Sequence, residues 1–320
     1  MVIQSAFIGD AILGTSVIEK LFQSFPESKI FYLVRKGNES LFSGHPFLEE
    51  VWTFDKKRKI NSLWYLFTKI RKEKFDVIVN LHRYASSNLL SLFSGAEMKC
   101  AFDVQPFSFF FYEKIKHGIG NGKHEIERNH SLIASWTDDK VAKPKLYPTE
   151  QDFLNVVAYK SQIYVCMAPA SLWFTKQWPV EKWIELCRSI RDKKIYLLGG
   201  PTDVSLNEAI VRESGNPLVK SLAGKLSFLE SAALMKDAHM NFVNDSGPLH
   251  LASAVNAPTT AIFCSTVTNF GFTPLADISK VVQTTMNLPC RPCGLHGYKQ
   301  CPQGHFTCGK SIPVENVWST

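Results

Sequence analysis

Three stretches of the 320-residue chain place polar side chains where strands give way to helices, and each could do chemistry. Asp10 follows an apolar run and Gly9. A carboxylate on such a loop could take a proton from a hydroxyl, or could simply N-cap a helix that starts at Ala11. In Ala168-Pro169-Ala170-Ser171-Leu172-Trp173-Phe174-Thr175-Lys176-Gln177-Trp178-Pro179, Ser171 and Thr175 offer hydroxyls and Lys176 a cation suited to phosphate, set against the ordinary reading of a solvated lysine. In Val243-Asn244-Asp245-Ser246-Gly247-Pro248-Leu249-His250, proline falls in the first turn of the expected helix. The free N–H groups there could receive a pyrophosphate; the plain alternative is a helix cap by Asp245 or Ser246 with His250 packed or hydrogen-bonded in the helix.

Cys290-x2-Cys293-x7-Cys301-x6-Cys308, with His296 and His305 among them, brings four thiols into a short tail rich in proline and glycine. That suits a four-ligand structural zinc site, although the second pair lacks CxxC spacing. Cys100, Cys166, Cys187 and Cys264 lie in apolar surroundings and read as small core residues. Cations for an anionic acceptor are present at His82-Arg83, at Lys56-Lys57-Arg58-Lys59, and at Lys114 with Lys116. Arg83 stands out because it follows a strand end, whereas charge runs are mostly solvated surface. The run Pro106-Phe107-Ser108-Phe109-Phe110-Phe111-Tyr112 reads either as a segment dipping into a membrane face or as aromatics buried under a sheet.

Other chemistries lack their motifs. The first turn, Ile8-Gly9-Asp10-Ala11-Ile12-Leu13-Gly14, is not GxGxxG, and GxxxxGK[ST] does not occur, which disfavours nicotinamide redox and P-loop hydrolysis. No Asp-x-Asp pair offers to hold a divalent ion beside a nucleotide, so phosphate charge would be met by helix ends and lysine.

The elements that must position these residues alternate in type. Val2 to Phe7 reads as a strand and Ala11 to about Phe25 as a helix. Strands at Lys29 to Val34, Glu50 to Phe54 and Phe75 to Leu81, with an amphipathic helix at Ser62 to Lys72, imply a parallel sheet covered on both faces. The proline-rich stretch near residues 140–150 marks a boundary between a domain at 1–150 and another at 151–320. The second half repeats the alternation: strands at Ile163 to Met167, Ile195 to Leu198, Met240 to Asn244 and Thr259 to Phe263, and helices at Val180 to Arg191, Val204 to Ser214, Ser227 to Lys236 and Pro248 to Val255. Two such halves predict a crevice outside the carboxyl ends of both sheets.

With 45% hydrophobic and 20% charged residues the chain is globular, and no apolar run approaches the ~20 residues that span a bilayer. Val2-Ile3 follow Met1 with no basic n-region, so a cytoplasmic location is expected and the eight cysteines are not expected to form disulfides. The net charge of +7 suits an anionic partner: a phosphorylated substrate, a nucleic acid or a membrane face.

Taken together, Ile8-Gly9-Asp10, the strand Phe75 to Leu81, His124-Glu125-Ile126-Glu127-Arg128-Asn129, Thr175-Lys176-x-Trp178-Pro179, Leu198-Gly199-Gly200-Pro201 and Asn244-Asp245-Ser246-Gly247 with His250 resemble glycosyltransferase family 9, the ADP-heptose:lipopolysaccharide heptosyltransferases. The resemblance implies a GT-B fold, two Rossmann-like domains facing across a cleft, with acceptor on the first and nucleotide sugar on the second. It implies Asp10 as catalytic base, Gly9 and Arg83 on the acceptor side, and Ser171, Thr175, Lys176, Asp203, Asp245, Ser246, Gly247 and His250 on the donor side. The family's ribose-binding acid, commonly Glu, is replaced here by Thr202-Asp203. The implied reaction is inverting transfer of a sugar, heptose from ADP-heptose, to an anionic glycolipid of the lipopolysaccharide core. No cofactor or nucleic acid takes part, and the four tail cysteines have at most a structural zinc; whether the enzyme also touches the inner membrane peripherally turns on the two readings of the 106–112 run. The alternatives are a degenerate relative that binds without turnover, a transferase of the same fold with another donor, and an epimerase-like oxidoreductase.

Overall fold

The structure, a computed structural model, describes residues 1–103 and 113–318. The chain divides into two compact units, Met1–Tyr147 and Pro148–Thr320.

In the first unit the order is β1 (Val2–Gln4), α1 (Ile8–Ser24), β2 (Ile30–Arg35), β3 (Leu48–Phe54), α2 (Lys59–Glu73), β4 (Val77–Asn80), α3 (Ala85–Leu92), β5 (Met98–Phe102), β6 (Glu113–Ile115) and α4 (Glu125–His130). The strands form one sheet in the order β3-β2-β1-β4-β5-β6, and every pair is parallel. The central β1 is wholly buried, as a strand covered on both faces must be. Strand order reverses between β1 and β4, so the segments leaving those two strands, which lead to Asp10 in the first turn of α1 and to His82-Arg83, flank the switch point where such sheets bind ligands. One face of the sheet is filled by Ile3, Leu33, Trp52, Phe54, Leu66, Ile70 and Phe75. On the other, α1 approaches β2 closely enough that Tyr32 donates to the Ala11 carbonyl at 2.7 Å. A Cβ at Gly14 would lie 2.4 Å from that phenol oxygen, so glycine permits the approach.

The second unit repeats this pattern: α5 (Glu150–Val156), β7 (Tyr164–Ala168), α6 (Val180–Ser189), β8 (Lys194–Leu197), α7 (Val204–Ser214), β9 (Val219–Ser221), α8 (Phe228–Lys236), β10 (Met240–Asn244), α9 (Gly247–Ala254), β11 (Thr259–Phe263), β12 (Ser279–Gln283), α10 (Thr307–Lys310) and α11 (Val314–Val317). Its parallel sheet runs β12-β11-β10-β7-β8-β9, with the switch point between β7 and β10. Trp178 and Trp183 meet edge to face at 5.2 Å in its core. The tail contributes Phe306, Cys308, Ile312, Val314 and Val317 to the same core. Among the described residues, no helix is long and apolar enough to cross a membrane.

Candidate active-site residues

The first helix begins at Ile8, three residues earlier than the sequence pattern predicts, so Asp10 lies inside its first turn and Phe7 is the N-cap. Capping of a helix from Ala11 is therefore not its role. The Asp10 carboxylate accepts the N–H groups of Phe7 and of Asp10 itself, which explains the early start, since an acid in the first turn satisfies the open amides and meets the positive helix end. Burial pushes the Asp10 carboxyl up to about 6, the neighbouring Glu125 carboxylate adds to the rise, and Arg83 together with the two amides restrains it. A half-buried carboxylate so poised is ionised at neutral pH yet basic enough to take a proton.

Glu125 belongs to a chain of side chains that sequence reasoning did not assemble. Arg83 Nη1 reaches His117 Nδ1 at 3.1 Å, His117 Nε2 lies 3.8 Å from Glu125 Oε2, and Arg128 donates to that same oxygen from Nε and Nη2 at 2.7 Å. Glu125, His117 and Arg128 have almost fully buried side chains. Burial would raise the Glu125 carboxyl, but His117, Arg128 and Arg83 outweigh it and hold the group below the usual carboxylate range. The i,i+3 spacing of Glu125 and Arg128 in the His124–Asn129 motif was the available signal; the fit of His117 across from β6 was not readable. Beside Arg83, Ser5 Oγ lies 3.0 Å from His82 Nδ1. Burial, Lys56 and Arg83 push the His82 imidazole down to about 3, so it stays neutral. Gly9 is half-buried in the first turn of α1. The aromatic run 106–112 and the Lys114 side chain lie outside the described residues.

At the switch point of the second unit, Lys176 Nζ and the Asp245 carboxylate form a 2.8 Å ion pair, and Thr266 donates to Asp245 Oδ2 at 2.6 Å. The two loops are tied by Asn244, which accepts the Trp178 N–H at 2.9 Å and donates to the Pro169 carbonyl at 2.7 Å. Ser246 is the N-cap of α9, and its side chain makes no cap bond there; Pro248 lies in the first turn. Pro248 has no N–H and the Leu249 N–H donates to the Ser246 carbonyl at 3.0 Å, so Ser246 and Gly247 supply the amides at this end of α9, beside Asp245. His250 is buried one turn on.

Three residues expected on the donor side make internal contacts in the structure. Thr175 is fully buried, and its Oγ1 accepts the Tyr298 N–H at 2.8 Å and lies 3.1 Å from Ser265 Oγ, so the hydroxyl fastens the tail rather than presenting itself to a ligand. Asp203 turns back on its own loop and accepts the Gly200 N–H at 2.8 Å. Ser171 is half-buried, and its carbonyl accepts from Gln177 Nε2 at 2.6 Å.

The tail lies on the Thr175 loop through Gly297 and Tyr298, and Arg291 donates to the Thr266 carbonyl at 2.6 Å. Cys290, Cys293, Cys301 and Cys308 line one cavity of about 230 Å³ with His305 and Phe306. Burial pushes the Cys308 thiol up to about 11, and the neighbouring thiols add to this. Among the described residues, no three His, Cys, Asp or Glu side chains converge to hold a metal ion.

Two doubly wound units, one with a carboxylate whose pKa is raised at its switch point and the other with a lysine–aspartate pair beside a helix N-terminus, define a two-unit α/β protein. The profile of glycosyltransferase family 9 (heptosyltransferase) matches residues 63–301. A lipopolysaccharide heptosyltransferase 3 of Escherichia coli is 28% identical over 281 residues, covering 81% of this chain and 82% of that protein. The structure of E. coli ADP-heptose lipopolysaccharide heptosyltransferase II superposes with a TM-score of 0.81 at 18% identity, covering 99% of this chain and 95% of that one. The E. coli heptosyltransferase WaaC with ADP-2-deoxy-2-fluoro heptose gives a TM-score of 0.75 at 19% identity, over 99% and 96% of the two chains. The chain belongs to glycosyltransferase family 9; it is a glycosyltransferase, and its fold is GT-B.

Proposed function

We propose that the protein transfers heptose from ADP-heptose to an anionic sugar of the lipopolysaccharide core, by a single inverting displacement that uses no metal ion. The observation that carries this reading is the pairing of Lys176 with Asp245 at the open N-terminus of α9. A diphosphate leaving group would draw Lys176 away from Asp245 and sit at the N-terminus of α9, its charge met without a metal ion. Asp245 would then be free for the sugar hydroxyls, with His250 behind it. On the first unit, Asp10 would deprotonate the acceptor hydroxyl as it attacks the anomeric carbon, and Arg83 would meet acceptor charge. Relatives named for lipopolysaccharide heptose transfer and the structure with an ADP-heptose analogue support the choice of donor.

Because Asp203 is engaged with Gly200, it can contribute to the ribose only through its second oxygen, and this reading leaves recognition of adenine to other groups on the same loops. The acceptor is a lipid-linked glycan, so the protein works at the inner face of the cytoplasmic membrane as a peripheral enzyme. Zinc at Cys290, Cys293, Cys301 and Cys308 enters only as a structural ion, for which the thiols must draw together around the cavity they line. Elemental analysis of purified protein showing one zinc per chain supports it, and none removes it.

The test of function is calorimetric titration with ADP-heptose, GDP- and UDP-sugars in EDTA, followed by assay of ADP release with lipopolysaccharide core acceptors. EDTA-insensitive binding with acceptor-dependent release is expected. Binding without release would leave a non-catalytic relative, and preference for another nucleotide would discard heptose.

A further inference from the structure

The outer face of α2 presents large apolar side chains to solvent. Ile60 is 74% exposed, Trp64 66%, Tyr65 61% and, alongside at the end of α3, Phe93 is 50% exposed. Trp64, Phe67 and Phe93 form a contiguous row, with Ile60 one turn before Trp64 and Tyr65 on the adjoining exposed flank. Trp64 lies 5.8 Å from Phe67, Phe67 lies 6.3 Å from Phe93, and Leu89 is one turn before Phe93. The inward face of α2 is already satisfied by Leu66 and Ile70, so the stripe is surplus to the core.

Cations frame it. Residues 56–74 hold eight basic side chains (Lys56, Lys57, Arg58, Lys59, Lys69, Arg71, Lys72 and Lys74) against the single acid Glu73, a net +7 that equals the formal charge of the whole chain. Arg71 lies over the Phe67 ring at 5.8 Å and Lys56 over the Tyr84 ring at 5.9 Å, so the basic groups ride on the aromatic ones. Tryptophan and tyrosine with surrounding lysine and arginine is the chemistry of the headgroup layer, and the aliphatic Ile60 and Leu89 fit acyl chains rather than stacked bases. The basic end of the stripe also lies near Asp10, whose charge acts on Lys56.

We propose that the exposed face of α2, continued by Leu89 and Phe93 of α3, docks the protein on an anionic phospholipid bilayer with Asp10 close to the lipid surface. The proposal deepens the glycolipid-acceptor reading and rests on it for its biological sense, but it can be tested separately. The experiment is co-sedimentation of the full chain with phosphatidylcholine vesicles, with and without phosphatidylglycerol, for wild type, Trp64→Ala/Tyr65→Ala and Lys57→Gln/Lys72→Gln, alongside ADP-heptose titration of each. Wild type should sediment only with phosphatidylglycerol present, and less at high salt. The aromatic pair should lower partitioning roughly tenfold and each removed lysine about fivefold, with donor binding unchanged. Wild type remaining in the supernatant, or variants sedimenting like wild type, overturns the proposal. So does a finding that the aromatic pair instead dissolves a dimer, or that single-stranded DNA binds while vesicles do not. Loss of donor binding with sedimentation intact would defeat the transferase reading and leave the surface in place.

Discussion

At the scale of single residues the decisive group is Asp10. Its carboxyl is raised from 3.8 to about 6, so the folded protein holds a proton that the unfolded chain releases over that window. Stability contributed by this group therefore falls as pH rises through the window, and above about 6 Asp10 is a half-buried charge maintained at a cost. Two opposite effects are expected of Asp10→Asn: turnover falls by ~10²- to 10⁴-fold, while the melting temperature at pH 7.5 rises. A variant that loses stability along with activity would mean that Asp10 holds the fold rather than the chemistry. The pH profile of kcat/KM should show an acidic limb near 6, with activity increasing as Asp10 ionises. Glu125→Gln removes a charge that raises Asp10, so the limb should move to lower pH, and buried Arg128, left without its carboxylate, should destabilise the protein by ~3–5 kcal/mol. An unmoved limb would sever Glu125 from Asp10. At the other site, Lys176→Ala should lower kcat by about 10²- to 10³-fold, measured at saturating donor.

At the scale of elements, the tail acts on the donor loops through contacts that demand glycine. Gly297 has φ +79° and a Cβ there would lie 2.8 Å from Thr175 Oγ1. Gly297→Ala should thus weaken ADP binding and lower thermal stability, with the left-handed backbone alone costing ~1–2 kcal/mol; calorimetric titration of the variant with ADP checks this. The sequence shows β10 and β11 at their observed limits, because both are buried, β-branched or aromatic runs closed by polar loops. It shows α7 equally well, since Asp203 precedes its periodic run and Gly215 ends it in a left-handed turn. It did not show β5, β6, β9, β12 or the His117 contact. At three residues, β6 and β9 carry too little alternation to register, and the partners of His117 come from the segment after β4 and from α4, far apart in sequence. Asp10, Lys176 and Asp245 stand out as candidates because each lies in the segment after a strand of the expected kind. The occupied hydroxyl of Thr175 was not legible, because what occupies it arrives more than a hundred residues later.

At the scale of the molecule, two units repeat one topology, and in the proposed reading they divide the work, so a ligand bound to one should mark it. ADP should raise the unfolding transition of residues 148–320, by about 4 kcal/mol at a thousandfold excess over its Kd. Hydrogen exchange with ADP present reads which amides are protected, and protection centred on the first unit would reverse the assignment of donor and acceptor sides. The interlock of the tail with Thr175, Thr266 and the core around Trp178 also sets an order in time. A ribosome releases residues 1–147 before the second sheet is complete, and that sheet lacks Phe306, Cys308 and Val317 until residue 317 has been made. In the proposed reading the donor loops are therefore fastened after the first unit has been released, so the nascent chain carries Asp10, and the surface beside it, before it can hold the sugar nucleotide.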